Sequence, residues 1–262
     1  MNEAVDVPLK PFRNLLAPLR CAWRLLLLLL AVFGGSLLAI FLLPRGPRPG
    51  TLGDALLRNW SKLFLRLFGV RVRAFGTPLH DPVMFVANHG SWLDITVLHT
   101  QRAAGFVAKA EISRWPLIGW MARRGGTIFH QRGSMHSLGT VMTAMTERLR
   151  EGRSIAAFPE GGTAPAGTLK VFHARIFQAA LDAGAPVQPV ALRYLRNGMP
   201  WTGAAFRSGE NFLHNVFRVM AVPALTAEVH FLEPVAFDPV GGRRKMADTA
   251  RARIARTLGY DA

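Results

Sequence analysis

One cysteine, Cys21, is present in 262 residues. No intramolecular disulfide can form, and no Cys-based metal site or thiol redox pair is possible. Stability has to come from packing, which fits a reducing compartment without requiring one. Acidic residues are also scarce, with 16 Asp+Glu against 32 Lys+Arg and a formal charge of +16. Such a balance attracts an anionic partner, nucleic acid or an acidic lipid surface, and composition does not choose between them. Hydrophobic residues still make up 50% of the chain. That excludes disorder, which pairs high charge with too little apolar material for a core. There is no internal repeat or low-complexity tract, and the length suits one large domain or one domain with an appendage. His99, His136 and His230 lack metal-ligand spacing and read as structural, so no metal is expected.

Charge is missing altogether from residues 25–43, LLLLLLAVFGGSLLAIFLL, nineteen residues that suffice to cross a hydrocarbon core of ~30 Å as a helix. The run exceeds the apolar stretch of a secretory signal, and the following Pro44-Arg45-Gly46-Pro47-Arg48 is not a small-residue cleavage site. A membrane segment is therefore expected. Lys10, Arg13, Arg20 and Arg24 precede it, while Arg45, Arg48, Arg58, Lys62 and Arg66 follow it. With bases on both sides the positive-inside rule assigns no orientation. Gly34-Gly35-Ser36 at the midpoint offers a place for the helix to break, so spanning and re-entrant paths both stay open. Next, Leu52, Ala55, Leu56, Trp60, Leu63, Phe64 and Leu67 recur at helical spacing with charges between them. This predicts a helix lying on anionic headgroups, or one packed on the domain.

From Val70 onward, strand-like runs at 70–75, 83–88, 105–109, 127–130, 155–158, 187–194 and 227–232 alternate with helical stretches near 92–101, 116–124, 135–151, 174–183, 211–222 and 244–258. Alternation of this kind predicts an α/β fold, a mixed, mostly parallel sheet flanked by helices, preceded by a membrane-embedded helical segment. The simplest division places anchoring and interfacial helices in residues 1–70 and a single catalytic-sized domain in residues 71–262.

The stretch Phe85-Val86-Ala87-Asn88-His89-Gly90-Ser91-Trp92-Leu93-Asp94 carries the chemistry. An apolar strand ends at Asn88 and a helix begins near Ser91, so His89 falls in the turn at the strand's carboxyl end, where open α/β sheets bind ligands. Asp94, five residues on, is within reach of the imidazole after one helical turn. A neutral imidazole takes up a proton near neutral pH, and a carboxylate on its other nitrogen fixes the tautomer and stabilises the cation. No Gly-x-Ser-x-Gly elbow supplies a nucleophilic serine. The nucleophile then comes from the substrate, most simply a hydroxyl. On spacing alone, a structural His–Asp hydrogen bond accounts for the pair equally well.

Asn88-His89 followed by Asp94 resembles the first motif of the glycerolipid acyltransferase superfamily, which contains the 1-acyl-sn-glycerol-3-phosphate (lysophospholipid) acyltransferases. Three more blocks follow in the family's order: Gly126-Thr127-Ile128-Phe129-His130-Gln131-Arg132, Phe158-Pro159-Glu160-Gly161 and Val187-Gln188-Pro189-Val190-Ala191-Leu192. The resemblance implies that His89 is the general base and Asp94 its orienter. It also implies that Asn88, Arg132, Glu160 and Gly161 bind the acceptor, with Arg132 on its headgroup. The implied reaction moves a fatty acyl group from acyl-CoA or acyl carrier protein to the free hydroxyl of a lysolipid, and needs no cofactor beyond that donor. Backbone N–H groups near Gly90 or Gly161 are the candidate oxyanion donors. The implied product is phosphatidic acid, made at the bacterial inner membrane with the catalytic domain facing the cytoplasm, where both donors occur.

One departure bears on the acceptor. The family's third motif usually continues Glu-Gly-Thr-Arg, whereas here it reads Glu160-Gly161-Gly162-Thr163, without the arginine. The run from Gly167 through Lys170, His173 and Ala174 to Ala180 is similar to a bacterial subgroup that includes lyso-ornithine lipid acyltransferases. Its acceptor has an amino-acid headgroup, and this acylation is the alternative reading. Lys170, His173 or Arg175 would then replace the missing cation. Trp115, Trp120 and Met121 read as core or as the lining of an acyl groove. Two other classes compete: a serine-free esterase or thioesterase using water, and a non-enzymatic lipid- or nucleic-acid-binding protein. No nucleic-acid motif supports the last, and the +16 charge is better matched by anionic membrane lipid.

Overall fold

Residues 17–42 are mostly apolar, with Arg20 and Arg24 as the only charges. In the computed structural model, which describes residues 16–43, 46–80, 82–131, 135–165, 167–236 and 241–260, they form one continuous helix, α1 (Ala17–Leu42). Its 26 residues extend about 39 Å, long and apolar enough to cross a membrane. The glycine pair does not break it. A Cβ at Gly35 would lie 2.3 Å from the indole nitrogen of Trp60, and that Nε1–H donates to the Ala31 carbonyl at 2.9 Å. Glycine at 35 is thus a notch for an aromatic ring, and of the two paths left open by the glycine pair the midpoint follows the unbroken one, as a helix-packing contact.

Trp60 belongs to α2 (Leu52–Leu67), capped by Thr51, whose hydroxyl accepts from the Asp54 N–H at 3.3 Å. Contacts of Gly53 with Leu42 and of Trp60 with Ala31 run α2 back along α1 in antiparallel sense. Its aromatic face turns inward. Trp60, Phe64 and Phe68 follow one another at ring separations of 5.1 and 5.0 Å, and Phe64 and Phe68 meet the edge of Trp92. Of the two expectations for this helix, its aromatic residues follow packing on the domain, while Lys62 and Arg66 stay exposed.

The bases before the apolar run are not all at the surface. Arg24 is only 4% exposed, and its guanidinium donates to the carbonyls of Met220 (2.6 Å), Val222 (2.7 Å), Pro223 (2.9 Å) and Phe68 (3.4 Å). Arg20 donates to Ala221 O at 2.7 Å. Carbonyls at helix C-termini lack intrahelical partners and carry partial negative charge. The two arginines therefore tie α1 to the ends of two other helices, and Arg24 is not a headgroup contact. Gly69, at φ +73°, admits the guanidinium, since a Cβ there would lie 2.4 Å from its Nη2.

The remaining elements alternate as the pattern predicts: β1 (Val70–Phe75), β2 (Met84–Ala87), α3 (Leu93–His99), β3 (Gly105–Lys109), α4 (Ile118–Arg124), β4 (Ile128–His130), α5 (Met135–Arg150), β5 (Ile155–Ala157), α6 (Gln178–Ala183), β6 (Val187–Arg196), β7 (Met199–Pro200), α7 (Phe212–Ala221), β8 (Leu225–Phe231) and α8 (Gly242–Leu258). The helix expected from 174 opens as a 3₁₀ turn, Ala174–Phe177, before α6. The two-residue β7 had no signal in the sequence. Strand order is β1-β8-β6-β2-β5-β3-β4, with β7 paired to β6. The five strands from β6 to β4 are mutually parallel, whereas β8 and its parallel neighbour β1 run antiparallel to β6. The sheet is mixed and mostly parallel.

Strand β2 lies inside the sheet and is buried on both faces, which is why it reads as a continuous apolar run. Successive side chains serve opposite layers. Phe85 and Ala87 join Leu65, Phe68, Leu93, Phe106 and Val219 on one side, while Met84 and Val86 join Met145, Phe177 and Ile254 on the other. Helix α2 thus shares a core with the sheet.

Replacing Gly35 by leucine should displace Trp60 and cost about 1–3 kcal/mol, seen as a lower melting temperature of the detergent-solubilised protein. Gly34, where an added Cβ would meet nothing within 4 Å, should accept leucine with little change. Equal losses at the two positions would show that the indole contact is not what the helix pair depends on.

Candidate active site

The turn after β2 carries His89 and leads into α3, which carries Asp94 in its first turn. The Asp94 carboxylate folds back over the turn. Its Oδ2 accepts from His89 Nδ1 at 3.0 Å, from Gly90 N at 2.9 Å and from Ser91 N at 2.8 Å. Asp94 is fully buried, whereas the His89 side chain is 17% exposed. With a buried carboxylate on Nδ1, that nitrogen carries the proton in the neutral ring. Nε2 is left with a lone pair on the side away from Asp94. The ring lies flat on Phe158, with centroids 4.0 Å apart and planes 15° apart. Its position is fixed in two directions, by a hydrogen bond and by a stacked face.

Asp94 has one more partner, unforeseen in the sequence. Tyr194, near the end of β6 and one of only two tyrosines in the chain, donates its hydroxyl to Oδ1 at 2.6 Å. Burial, reinforced by the neighbouring carboxylate, holds the Tyr194 phenol well above its ordinary pKa, so it remains a donor. One hundred residues separate the two in sequence, and no spacing rule links them. The only hint was that Tyr194 follows the fourth family-like block.

Other predicted residues form the frame. Asn88 donates from Nδ2 to Leu192 O at 2.9 Å and accepts from Leu192 N at 2.8 Å, extending the β2–β6 pairing by one side-chain rung. Glu160 accepts from His89 N at 2.7 Å and from Lys170 N at 2.9 Å. Both side chains, expected on the acceptor, are committed to backbone groups. Burial raises the Glu160 pKa, and the two backbone N–H groups work against that shift. Gly161 sits at φ +70°, a conformation glycine adopts without strain, and a Cβ there would come within 3.3 Å of the His173 ring. Ala164 N donates to His89 O at 2.7 Å and His173 N to Pro159 O at 2.9 Å. The loop from 160 to 173 is thereby laced over the His89 turn.

Of the backbone N–H groups in that region, those of the two glycines themselves are engaged: Gly90 N serves Asp94 and Gly161 N donates to Phe158 O at 3.1 Å. Arg132 lies outside the described residues. The strand leading to it, β4, is three strands from β2, about 14 Å at ~4.8 Å per strand. Lys170 Nζ donates to Thr163 O at 2.7 Å, placing a cation on the loop that Glu160 holds against His89. Trp115 meets Phe212 at 5.3 Å, and Phe212 meets Trp92 at 5.5 Å.

Residues 71–193 match the Acyltransferase family. The chain is 36% identical over 224 residues to a lyso-ornithine lipid O-acyltransferase of Pseudomonas aeruginosa, covering 84% of this chain and 86% of that protein. The chain belongs to the acyltransferase family. A lyso-ornithine lipid O-acyltransferase of Rhizobium meliloti is 31% identical over 217 residues, with 78% of this chain and 74% of the relative covered. A 1-acyl-sn-glycerol-3-phosphate acyltransferase of Neisseria gonorrhoeae is 35% identical over 150 residues, 57% of this chain and 59% of the relative. The crystal structure of the 1-acyl-sn-glycerophosphate acyltransferase from Thermotoga maritima superimposes with a TM-score of 0.66 at 20% identity, over 96% of this chain and 98% of that one. That likeness speaks to the acyltransferase fold.

At the far end of α3, His99 is buried, its Nδ1 has no hydrogen-bond partner among the described residues and its ring meets the edge of Phe106. Burial lowers its pKa to about 4. The unfolded chain, with a histidine near ~6.5, binds the proton first. Stability should therefore fall as pH drops from about 6.5 to about 4, by up to ~3 kcal/mol. A His99→Leu acyltransferase should lack that part of the loss in urea titrations across this range. An unchanged slope would place the acid sensitivity elsewhere.

Proposed function

We propose that this protein is a membrane-bound lysolipid O-acyltransferase whose acceptor is lyso-ornithine lipid and whose product is ornithine lipid. The observation that carries the chemistry is the His89–Asp94 pair at the carboxyl end of β2. Its Nε2, turned away from Asp94, is the general base, and no serine elbow accompanies it. His89 removes the proton of the acceptor hydroxyl as that oxygen attacks the thioester carbonyl of acyl-CoA or acyl carrier protein. The new C–O bond forms, the C–S bond breaks, and the proton passes from His89 to the departing thiolate. Base assistance of this kind contributes ~10²- to 10⁴-fold.

The choice of acceptor reverses the order set out from the sequence, where phosphatidic acid came first. Similarity over most of both chains to two lyso-ornithine lipid O-acyltransferases supports the change, as does the absence of arginine after Glu160-Gly161-Gly162-Thr163. An amino-acid headgroup presents a carboxylate, which a single cation can hold. Lys170 supplies it, because its bond to Thr163 uses one of three ammonium protons. The 35% identity to the Neisseria protein favours the second reading, acylation of 1-acyl-sn-glycerol-3-phosphate with Arg132 on the phosphate.

Residues 1–70 anchor the enzyme and residues 71–262 carry the reaction. Leu19, Trp23, Leu26, Leu30, Phe33 and Phe41 project from α1 unburied, Phe41 at 77% exposure. Such a stripe needs lipid around it. The acceptor arrives from that lipid, and the site faces the cytoplasm of a bacterial inner membrane, where the donors are.

Product analysis by mass spectrometry tests both choices. Offered lyso-ornithine lipid and 1-acyl-sn-glycerol-3-phosphate together with an acyl donor, the full chain should acylate the former at least roughly 10-fold faster. His89→Ala should lower turnover by ~10²-fold or more, and Lys170→Gln should raise KM for the amino-acid lysolipid. Phosphatidic acid as sole product would replace the acceptor reading, and a fully active His89→Ala enzyme would overturn the base.

A further inference from the structure

A local turn satisfies only half of the Asp94 carboxylate. The three donors from residues 89–91 all converge on Oδ2. Oδ1 has one donor among the described residues, the Tyr194 hydroxyl at 2.6 Å. Three bonds hold the Oδ2 corner of the carboxylate, and the fourth, from a different element, holds the Oδ1 corner, so that both ends of the group are tied. Tyr194 is itself well placed to do so. It lies two residues beyond Leu192, whose backbone is bonded at both ends to Asn88, so β6 and the His89 strand move as one piece.

We propose that Tyr194 is a positioning residue of the acyl transfer. Its hydroxyl sets the rotation of the Asp94 carboxylate, and with it the direction in which His89 presents Nε2, and it moderates the pull of that carboxylate on the imidazole. The inference rests on His89 acting as the base. Two effects follow from removing the hydroxyl. The ring of His89 loses its alignment toward the acceptor, which lowers turnover. The carboxylate, with one donor fewer, becomes more basic and stabilises the imidazolium more strongly, so His89 takes its proton at higher pH.

Glu160, Lys170 and His173 approach from the loop after β5, Tyr260 beyond α8 interacts with Glu160 and with Arg193 of β6, and His99 sits at the far end of α3. From α7 the contact is the uncharged Asn215, which accepts from the Trp92 indole. α2 presents Phe64 and Phe68. Tyr194→Phe leaves all of these in place. The Tyr194 phenol keeps its proton across the working range, because burial and the adjacent carboxylate hold it there. It titrates neither limb of the profile itself.

The test uses the full chain in detergent micelles with an acyl donor and lysolipid acceptor, assayed from pH 5 to pH 9. Tyr194→Phe should lower kcat about 10-fold with KM within about twofold, and move the acid limb of kcat/KM upward. A variant that melts earlier but keeps the kcat and acid limb of the parent would make the hydroxyl merely structural and overturn the proposal. If Tyr194→Phe does not fold, the small number of tyrosines provides a second route. In a Tyr260→Phe background, 3-fluorotyrosine incorporation alters Tyr194 alone. The more acidic phenol, a stronger donor, should move the acid limb downward relative to the unlabelled Tyr260→Phe parent, and an unmoved limb would overturn the proposal. His89→Ala separates the two ideas. If it is inactive while Tyr194→Phe is normal, only the role of Tyr194 fails, whereas an active His89→Ala enzyme removes the base and Tyr194 with it.

Discussion

A carboxylate removed from water stays charged only if its oxygens are occupied, and in this protein the Asp94 carboxylate is occupied from two parts of the chain. Much of the local architecture follows from that requirement. The turn after β2 is tight enough to aim two backbone N–H groups and an imidazole at one oxygen. Strand β6 is long enough to run past the end of β2 and bring a tyrosine to the other. Asn88 and Glu160 then hold the turn to β6 on one side and to the 160–173 loop on the other. His89 ends up constrained at its backbone, at Nδ1 and across its ring face.

The same logic of occupied polar groups connects the N-terminal helix to this centre. Arg20 and Arg24 satisfy carbonyls at the end of α7. That helix contributes Asn215, fully buried, to the indole of Trp92 beside the catalytic turn. Asn215 in turn donates to Glu210, which Arg218 pairs with and holds well below the usual carboxylate range. Trp60, Phe64, Phe68, Trp92, Phe212 and Trp115 form a run of ring contacts along the same side. Helix α1 is thus built into the packing around the His89 turn.

The excess of positive charge looks different once it is located. Part of it is internal, as in Arg24 on helix ends and Arg148 on the Gly126 carbonyl, where guanidinium groups serve as multidentate hydrogen-bond donors for backbone oxygen. Lys62 and Arg66 remain at the surface of α2, available to anionic headgroups. A single count of +16 combined these uses.

Much of the fold was legible in the sequence because periodicity is a local property. The strand runs at 70–75 and 105–109 became β1 and β3 with the same bounds, and the uncharged run became α1. The His89–Asp94 pair was legible too, since five residues of turn and helix suffice to close it. What could not be read were contacts with no local spacing. Tyr194 reaches Asp94 across 100 residues, Arg24 reaches Met220 across 196, and Trp60 fills the notch at Gly35 that alone had looked like a break. By itself the sequence determined which segments are apolar, which are helix or strand, and which histidine has a carboxylate within a turn's reach. Only the tertiary structure decided what satisfies each buried charge, because a desolvated carboxylate or guanidinium takes whatever partner the packing of distant elements delivers to it.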